Sequence, residues 1–150
     1  MAITTQQIKE LREQTGAGVS DVKRALEESE GDTPRAFAVL EKKLGGVATK
    51  KASRTTGAGL VESYIHSNSR VGALVEVLCE TDFVARNPSF REFSHDIALH
   101  IAAMEPADLE TLLGQPFVKD PAKTIGVCVN EAIGRFGENI KVGKFVRFEV

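Results

Sequence analysis

In the run Cys79-Glu80-Thr81-Asp82-Phe83-Val84-Ala85-Arg86-Asn87 an apolar stretch ends and leaves a thiol, two carboxylates and an aromatic ring close together. Glu80 and Asp82 are two apart, on one face if a strand continues that far, and could form an acid/base pair. No nucleophile, oxyanion donor or second carboxylate pair accompanies them, so the checklist for a catalytic site is not met. A cysteine nucleophile needs a thiolate beside a histidine, whereas Cys79 is expected to face inward among aliphatic groups, which raises its pKa. His66, His95 and His100 invite a metal reading, yet His95 and His100 are five apart and fall on different sides of a helix. Cys79 and Cys128 make no CxxC or metal-ligand spacing and no disulfide framework. No GxxxxGK[ST] loop is present, so any bound nucleotide would belong to a partner. The sequence therefore reads as a non-enzyme without cofactor or metal. What remains is an acid beside a ring at the mouth of a strand, an arrangement suited to entering another protein. The competing reading is that Phe83 folds back under the following helix as a core residue.

Those residues must be positioned by a modest core. The chain has 150 residues, 42% hydrophobic, enough for one good core and a small satellite domain. A net charge of -2 and a pI near 6.0 argue against direct nucleic-acid binding, which needs a concentrated positive field. Nothing approaches the roughly 18 apolar residues of a membrane span. Met1 to Gln7 is neutral and short of apolar residues, which predicts a chain without a transit peptide, in a reducing cytoplasm.

Periodicity places the elements. Thr4 or Thr5 caps a first helix with Ile8 and Leu11 on one face, ended by Gly16-Ala17-Gly18. A second helix carries Val22, Ala25 and Leu26. Asp32 and Pro34 start a third with Phe37, Leu40 and Leu44 at helical spacing. Residues 1–45 thus form a three-helix bundle with a thin core. Residues 46–59, holding Lys50, Lys51 and Arg54, read as a linker or a frayed helix. From Leu60 the period becomes two. Leu60 to Ser67 and Val71 to Glu80 flank Asn68-Ser69 as an antiparallel hairpin, with Ala73, Val75, Val77 and Cys79 sharing a face. Asn87-Pro88 opens a helix with a stripe of Phe90, Phe93, Ile97, Ile101 and Met104. Asp120-Pro121 opens another with Ile125, Val129, Ile133 and Phe136, closed by Gly137. Lys144 to Val150 returns as a strand. Residues 60–150 are expected to be an α+β core, an antiparallel sheet of about three strands with helices on one face.

Together with Ile8 to Leu26, which reads IKELREQTGAGVSDVKRAL, the Thr81 to Val84 segment closely resembles the elongation factor Ts family. The resemblance continues through Tyr64-Ile65-His66, Arg70-Val71-Gly72, Ile97 to Ala103, Gln115 to Val118 and Gly137-Glu138-Asn139-Ile140. It implies a guanine-nucleotide exchange factor that binds elongation factor Tu, both GDP-bound and nucleotide-free, in translation elongation. It also implies that Thr81, Asp82, Phe83 and Val84 intrude beside the partner's magnesium, and that the bundle, similar to ubiquitin-associated domains, docks on the G domain. Lys9, Arg12, Val19 and Ser20 are then candidate contacts, Lys9 and Arg12 having a solvated helix face as their alternative. Val19 and Ser20 stand where many relatives have two methionines, which predicts weaker docking there. His66, Arg70, Val71 and Gly72, with His100 in the accompanying helix, match the element that meets another domain of the partner.

In many members these two signatures lie on separate cores. Here one core carries both, and only Glu105 to Gly114 stand where many relatives insert a long coiled coil. By analogy with short, single-core members the chain is expected to be a homodimer, built on an isologous sheet or helix face. A reading from another class remains: an interaction module in which the bundle recruits its own partner and the core only dimerises, without exchange.

Overall fold

The computed structural model describes residues 2–150, so Met1, part of the stretch read for a transit peptide, lies outside the described residues. Helix α1 (Thr5–Thr15) begins at a capping box, where Thr4 accepts from the Gln7 amide and the Gln7 side chain accepts from the Thr4 amide. It ends at Gly16, whose φ of 70° suits a residue without Cβ. Helix α2 (Val19–Glu28) follows, and Asp32 caps α3 (Thr33–Lys51) with Pro34 in its first turn. Leu11, Val22, Ala25, Leu26, Ala36 and Leu40 close a small core among the three helices.

Helix α3 does not stop at Gly45-Gly46. It runs to Lys51, so the first six residues of the segment read as a linker, 46–51, are helical, and only a short connection precedes the first strand. Two glycines weaken a helix by roughly 1 kcal/mol each relative to alanine, but tertiary contacts outweigh that here. Leu44 lies against Gly134, where any Cβ would collide with it, and Ala48 is buried in the second core. The Lys51 ammonium donates to the Gly137 carbonyl at 2.9 Å. One helix therefore serves both cores.

The second core is α+β, as its alternating pattern predicts. Strands β1 (Ala58–Ile65), β2 (Val71–Cys79) and β5 (Lys141–Glu149) form an antiparallel sheet in the order β1-β2-β5. The inward side chains of β2 are those the period-two reading selected: Ala73, Val75, Val77 and Cys79 are all buried. Helix α4 (Asp82–Ala85) is a single turn, followed by α5 (Pro88–Met104), whose Phe90, Ile97 and Ile101 are buried against the sheet side. Met104, at the end of that stripe, is exposed instead. Helix α6 (Leu109–Gly114) and a two-stranded ribbon, β3 (Pro116–Phe117) with β4 (Asp120–Thr124), lead to α7 (Ile125–Phe136).

The ribbon replaces the expected helix start at Asp120-Pro121. Asp120 pairs with Phe117, and the Ile125 amide donates to the Gln115 carbonyl at 3.0 Å, which fixes a bend. The helix begins one turn later, where the Thr124 hydroxyl accepts from the Val127 amide at 3.2 Å. Asp-Pro is compatible with a helix start and with a turn, and neighbouring chain decided between them. Gly137 closes α7 with φ of 74°, as expected.

Candidate partner-binding site

Strand β2 ends at Cys79, and the chain turns at once into α4. Glu80 and Asp82 therefore never share a strand face, and Glu80 instead lies 3.8 Å from Arg54. Thr81 caps the single turn, its hydroxyl accepting from the Val84 amide at 3.4 Å. Val84 tucks into the core, and Asp82 and Phe83 face outward. Phe83 is 86% exposed. The reading in which it folds under α5 is thus excluded: Val84 takes the inward position of this turn.

A four-residue helix cannot hold itself by its own hydrogen bonds. The turn is pinned from across the sheet by Glu138. One carboxylate oxygen accepts from the Glu80 and Thr81 amides at 3.1 and 3.0 Å, and the other accepts from the Thr81 hydroxyl at 2.7 Å. Glu138 belongs to the Gly137-Glu138-Asn139-Ile140 motif, but nothing in its spacing assigns it a role. Only the pairing of β2 with β5 brings it to residue 81.

The second set of residues lies at the opposite end of β2, about 30 Å away at roughly 3.3 Å per strand residue. His66 and Arg70 are exposed beside the hairpin turn, Val71 and Gly72 half-buried at the strand's start. The His66 ring nitrogen Nδ1 lies 2.9 Å from the Tyr64 hydroxyl. Arg70 is held through its backbone, its amide donating to Asn68 and its carbonyl accepting from Val150. A Cβ at Gly72 would stand 2.6 Å from Cδ1 of Ile65 across the pair, so any other residue there would displace the tip of that exposed side chain.

His100 requires a correction. The family resemblance places it among the partner contacts, but it is fully buried. Its Nδ1 accepts from the Val118 amide at 3.2 Å, so Nε2 carries the proton and donates to the Gln115 side-chain oxygen Oε1 at 2.9 Å. Burial pushes its pKa below the usual histidine value, opposed in part by the Gln115 bond. Its work is internal: it seats the Gln115–Val118 stretch on α5. In the bundle, Lys9, Arg12, Val19 and Ser20 are all exposed, and Lys9 lies only loosely paired with Glu13 at 3.9 Å.

The thiols are poor nucleophiles. Burial and then the Glu138 charge push the Cys79 thiol up, and burial carries Cys128 up to about 12. Among the described residues no group of three or more His, Cys, Asp or Glu is arranged to hold a metal ion. A cleft of about 470 Å³ separates α1 from α7, but Lys123 bridges it, binding the Gln14 carbonyl and the Glu131 carboxylate. No helix among the described residues is long and apolar enough to cross a membrane.

The turn displays an acid and a bare aromatic ring, and the comparisons agree with the motifs around it. The family model described as Elongation factor TS matches residues 36–110 and 80–150. An elongation factor Ts of Rubrobacter xylanophilus is 42% identical, with both chains covered completely. The chain belongs to the elongation factor Ts family. A member from Thermodesulfovibrio yellowstonii is 39% identical over 100% of this chain and 97% of its own. Another, from Trichlorobacter lovleyi, is 46% identical over 99% of this chain but only 48% of its own length. The Rubrobacter alignment spans 195 positions against 150 residues here, so that elongation factor Ts carries residues with no counterpart in this chain. The family makes this chain a translation elongation factor.

Proposed function

We propose that this member of the elongation factor Ts family is a non-enzymatic guanine-nucleotide exchange factor for elongation factor Tu, acting in the cytoplasm without contacting nucleic acid. The observation that carries the reading is Phe83, 86% exposed on a turn that Thr81 and Val84 anchor. A large apolar side chain left in water adds no burial to the fold and leaves that gain, roughly 1.5 to 3 kcal/mol, available to a partner surface. An interaction module relying on its bundle alone has no use for such a turn.

The mechanism is linkage. GDP affinity depends on the magnesium that neutralises its phosphates and on the amides that cradle them. Insertion of Thr81-Asp82-Phe83-Val84 beside that ion displaces the elements that hold it, with Phe83 taking an apolar pocket and Asp82 accepting hydrogen bonds from displaced backbone. Weaker GDP binding in the complex is then matched by weaker binding of the factor to the GDP form. A tenfold change takes about 1.4 kcal/mol, so the bundle must add affinity. Residues 1–45 dock on the G domain through Lys9, Arg12, Val19 and Ser20, residues 46–59 connect, and residues 60–150 form the core and dimerisation domain.

The two contact sets sit at opposite ends of one strand, so a single copy offers them to one partner poorly. A homodimer resolves this by presenting the Phe83 end of one copy and the His66, Arg70, Val71, Gly72 end of the other. The open face of the sheet supports it, with Val61, Ile65, Leu74, Val146 and Phe148 exposed and uncovered by any helix. The test is stopped-flow release of a fluorescent GDP from elongation factor Tu. Strong acceleration by the chain is expected; binding to elongation factor Tu without acceleration would leave only a docking module.

A further inference from the structure

We propose that Glu138 is the positioning residue of the inserted turn, a role that rests on the exchange reading above. Three hydrogen bonds converge on its carboxylate from Glu80 and Thr81, residues 58 and 57 positions away in sequence. The donor and acceptor order is fixed. Because the Thr81 hydroxyl gives its proton to Glu138, its lone pair is turned toward the Val84 amide and caps α4. Val84 is thereby seated inward and Phe83 outward. Charge-assisted bonds of this kind are the strong ones, and here they replace what a longer helix would do for itself.

Glu138 is in turn held by its own neighbours. Gly137 accepts from Lys51 at 2.9 Å, and buried Asn139 donates to the Arg54 carbonyl at 2.9 Å and the Ala52 carbonyl at 3.4 Å. The turn at 137–139 thus grips both the Phe83 segment and the exit of α3, the helix that belongs to the docking bundle. A wedge oriented before contact needs no ordering at the moment of insertion. Docking affinity comes from other surfaces, so Glu138 governs how fast GDP leaves the complex rather than how much complex forms.

GDP release from elongation factor Tu is measured across factor concentrations for the wild type, Phe83→Ala, Glu138→Ala, Glu138→Gln, Thr81→Ala and Glu138→Ala with Thr81→Ala. Glu138→Ala is expected to lower the plateau rate about tenfold, while the half-maximal concentration moves by less than about threefold. Glu138→Gln keeps a carbonyl for the amides but turns an NH₂ toward the Thr81 hydroxyl, and falls between. Adding Thr81→Ala to Glu138→Ala costs less than Thr81→Ala costs in the wild type, since the Thr81 hydroxyl and Glu138 share a contact. A wild-type plateau in Glu138→Ala, or additive losses in the double variant, overturns the proposal. Should circular dichroism show Glu138→Ala unfolded, Glu138→Gln decides: a reduced plateau supports the role and a wild-type plateau overturns it. If the wild type accelerates release and Phe83→Ala does not, while the Glu138 variants match the wild type, exchange stands and the Glu138 role falls. If the wild type itself is inactive, both fall.

Discussion

The two ends of strand β2 carry the two sets of family residues, yet they are built on opposite principles. At the Cys79 end, side chains do the holding: Glu138 binds the turn, Val84 is sunk in the core, and one ring is left bare. At the Val71 end, backbone does the holding: the His66 amide donates to the Val71 carbonyl, Arg70 is fixed through its own amide and carbonyl, and the charged side chains stay free to solvent. Under the proposed function, the first arrangement concentrates the partner contact in one rigid group. The second spreads it over several adaptable ones. A substitution at the first end should therefore act sharply on a rate, and one at the second should act mildly on affinity.

The largest effect expected is for Phe83→Ala, with a loss of at least about tenfold in accelerated GDP release, measured by stopped flow. Its melting temperature should stay near the wild type, because truncating a side chain already in water changes stability by only about 0.5 kcal/mol. A large drop in melting temperature would mean that Phe83 is part of the core after all, and the contrast between the ends would collapse. Next comes the open sheet face. Leu74→Glu with Phe148→Glu places charges on paired β2 and β5 strands and should convert a dimer to a monomer in sedimentation, with release slowed less than in Phe83→Ala. A dimer that survives both changes would move the interface to a helix face. Arg70→Ala should raise the half-maximal factor concentration only about two- to fivefold, as exposed charges contribute up to about 1 kcal/mol, and leave the plateau rate alone.

The smallest effect concerns His100, which belongs to neither end. Its folded pKa lies below the ordinary value of 6.5, so the unfolded chain binds the proton more readily. Stability is therefore complete above about pH 6.5 and declines as pH falls from there through the folded value, where the ring must give up the Val118 bond. Melting temperatures between pH 8 and 5 should show this decline in the wild type and a shallower one in His100→Gln. Equal slopes would show that His100 stays neutral in both states.

Much of this was readable from the residues. Period two on Ala73, Val75, Val77 and Cys79 predicts their burial because a strand has no other way to sort its side chains, and caps at Thr4, Asp32 and Asn87 act within a few residues of themselves. Helix α3 was read as too short because Gly45-Gly46 is a local signal, whereas its continuation depends on Leu44 meeting Gly134 in α7. Asp120-Pro121 misled for the same reason, its turn chemistry fitting a ribbon as well as a helix. The His100 assignment failed because an imidazole in a helix reads alike whether it faces a partner or the Gln115–Val118 stretch.

By itself, then, the sequence determined the α+β class, the three-helix bundle, the strand faces and the family, because periodicity, capping and ordered motifs are written in neighbouring residues. Only the tertiary structure decided that Phe83 is bare, that His100 is internal and that Glu138 grips residue 81. Each of those depends on contacts between residues far apart in the chain, and no local pattern encodes which distant carboxylate a turn will meet.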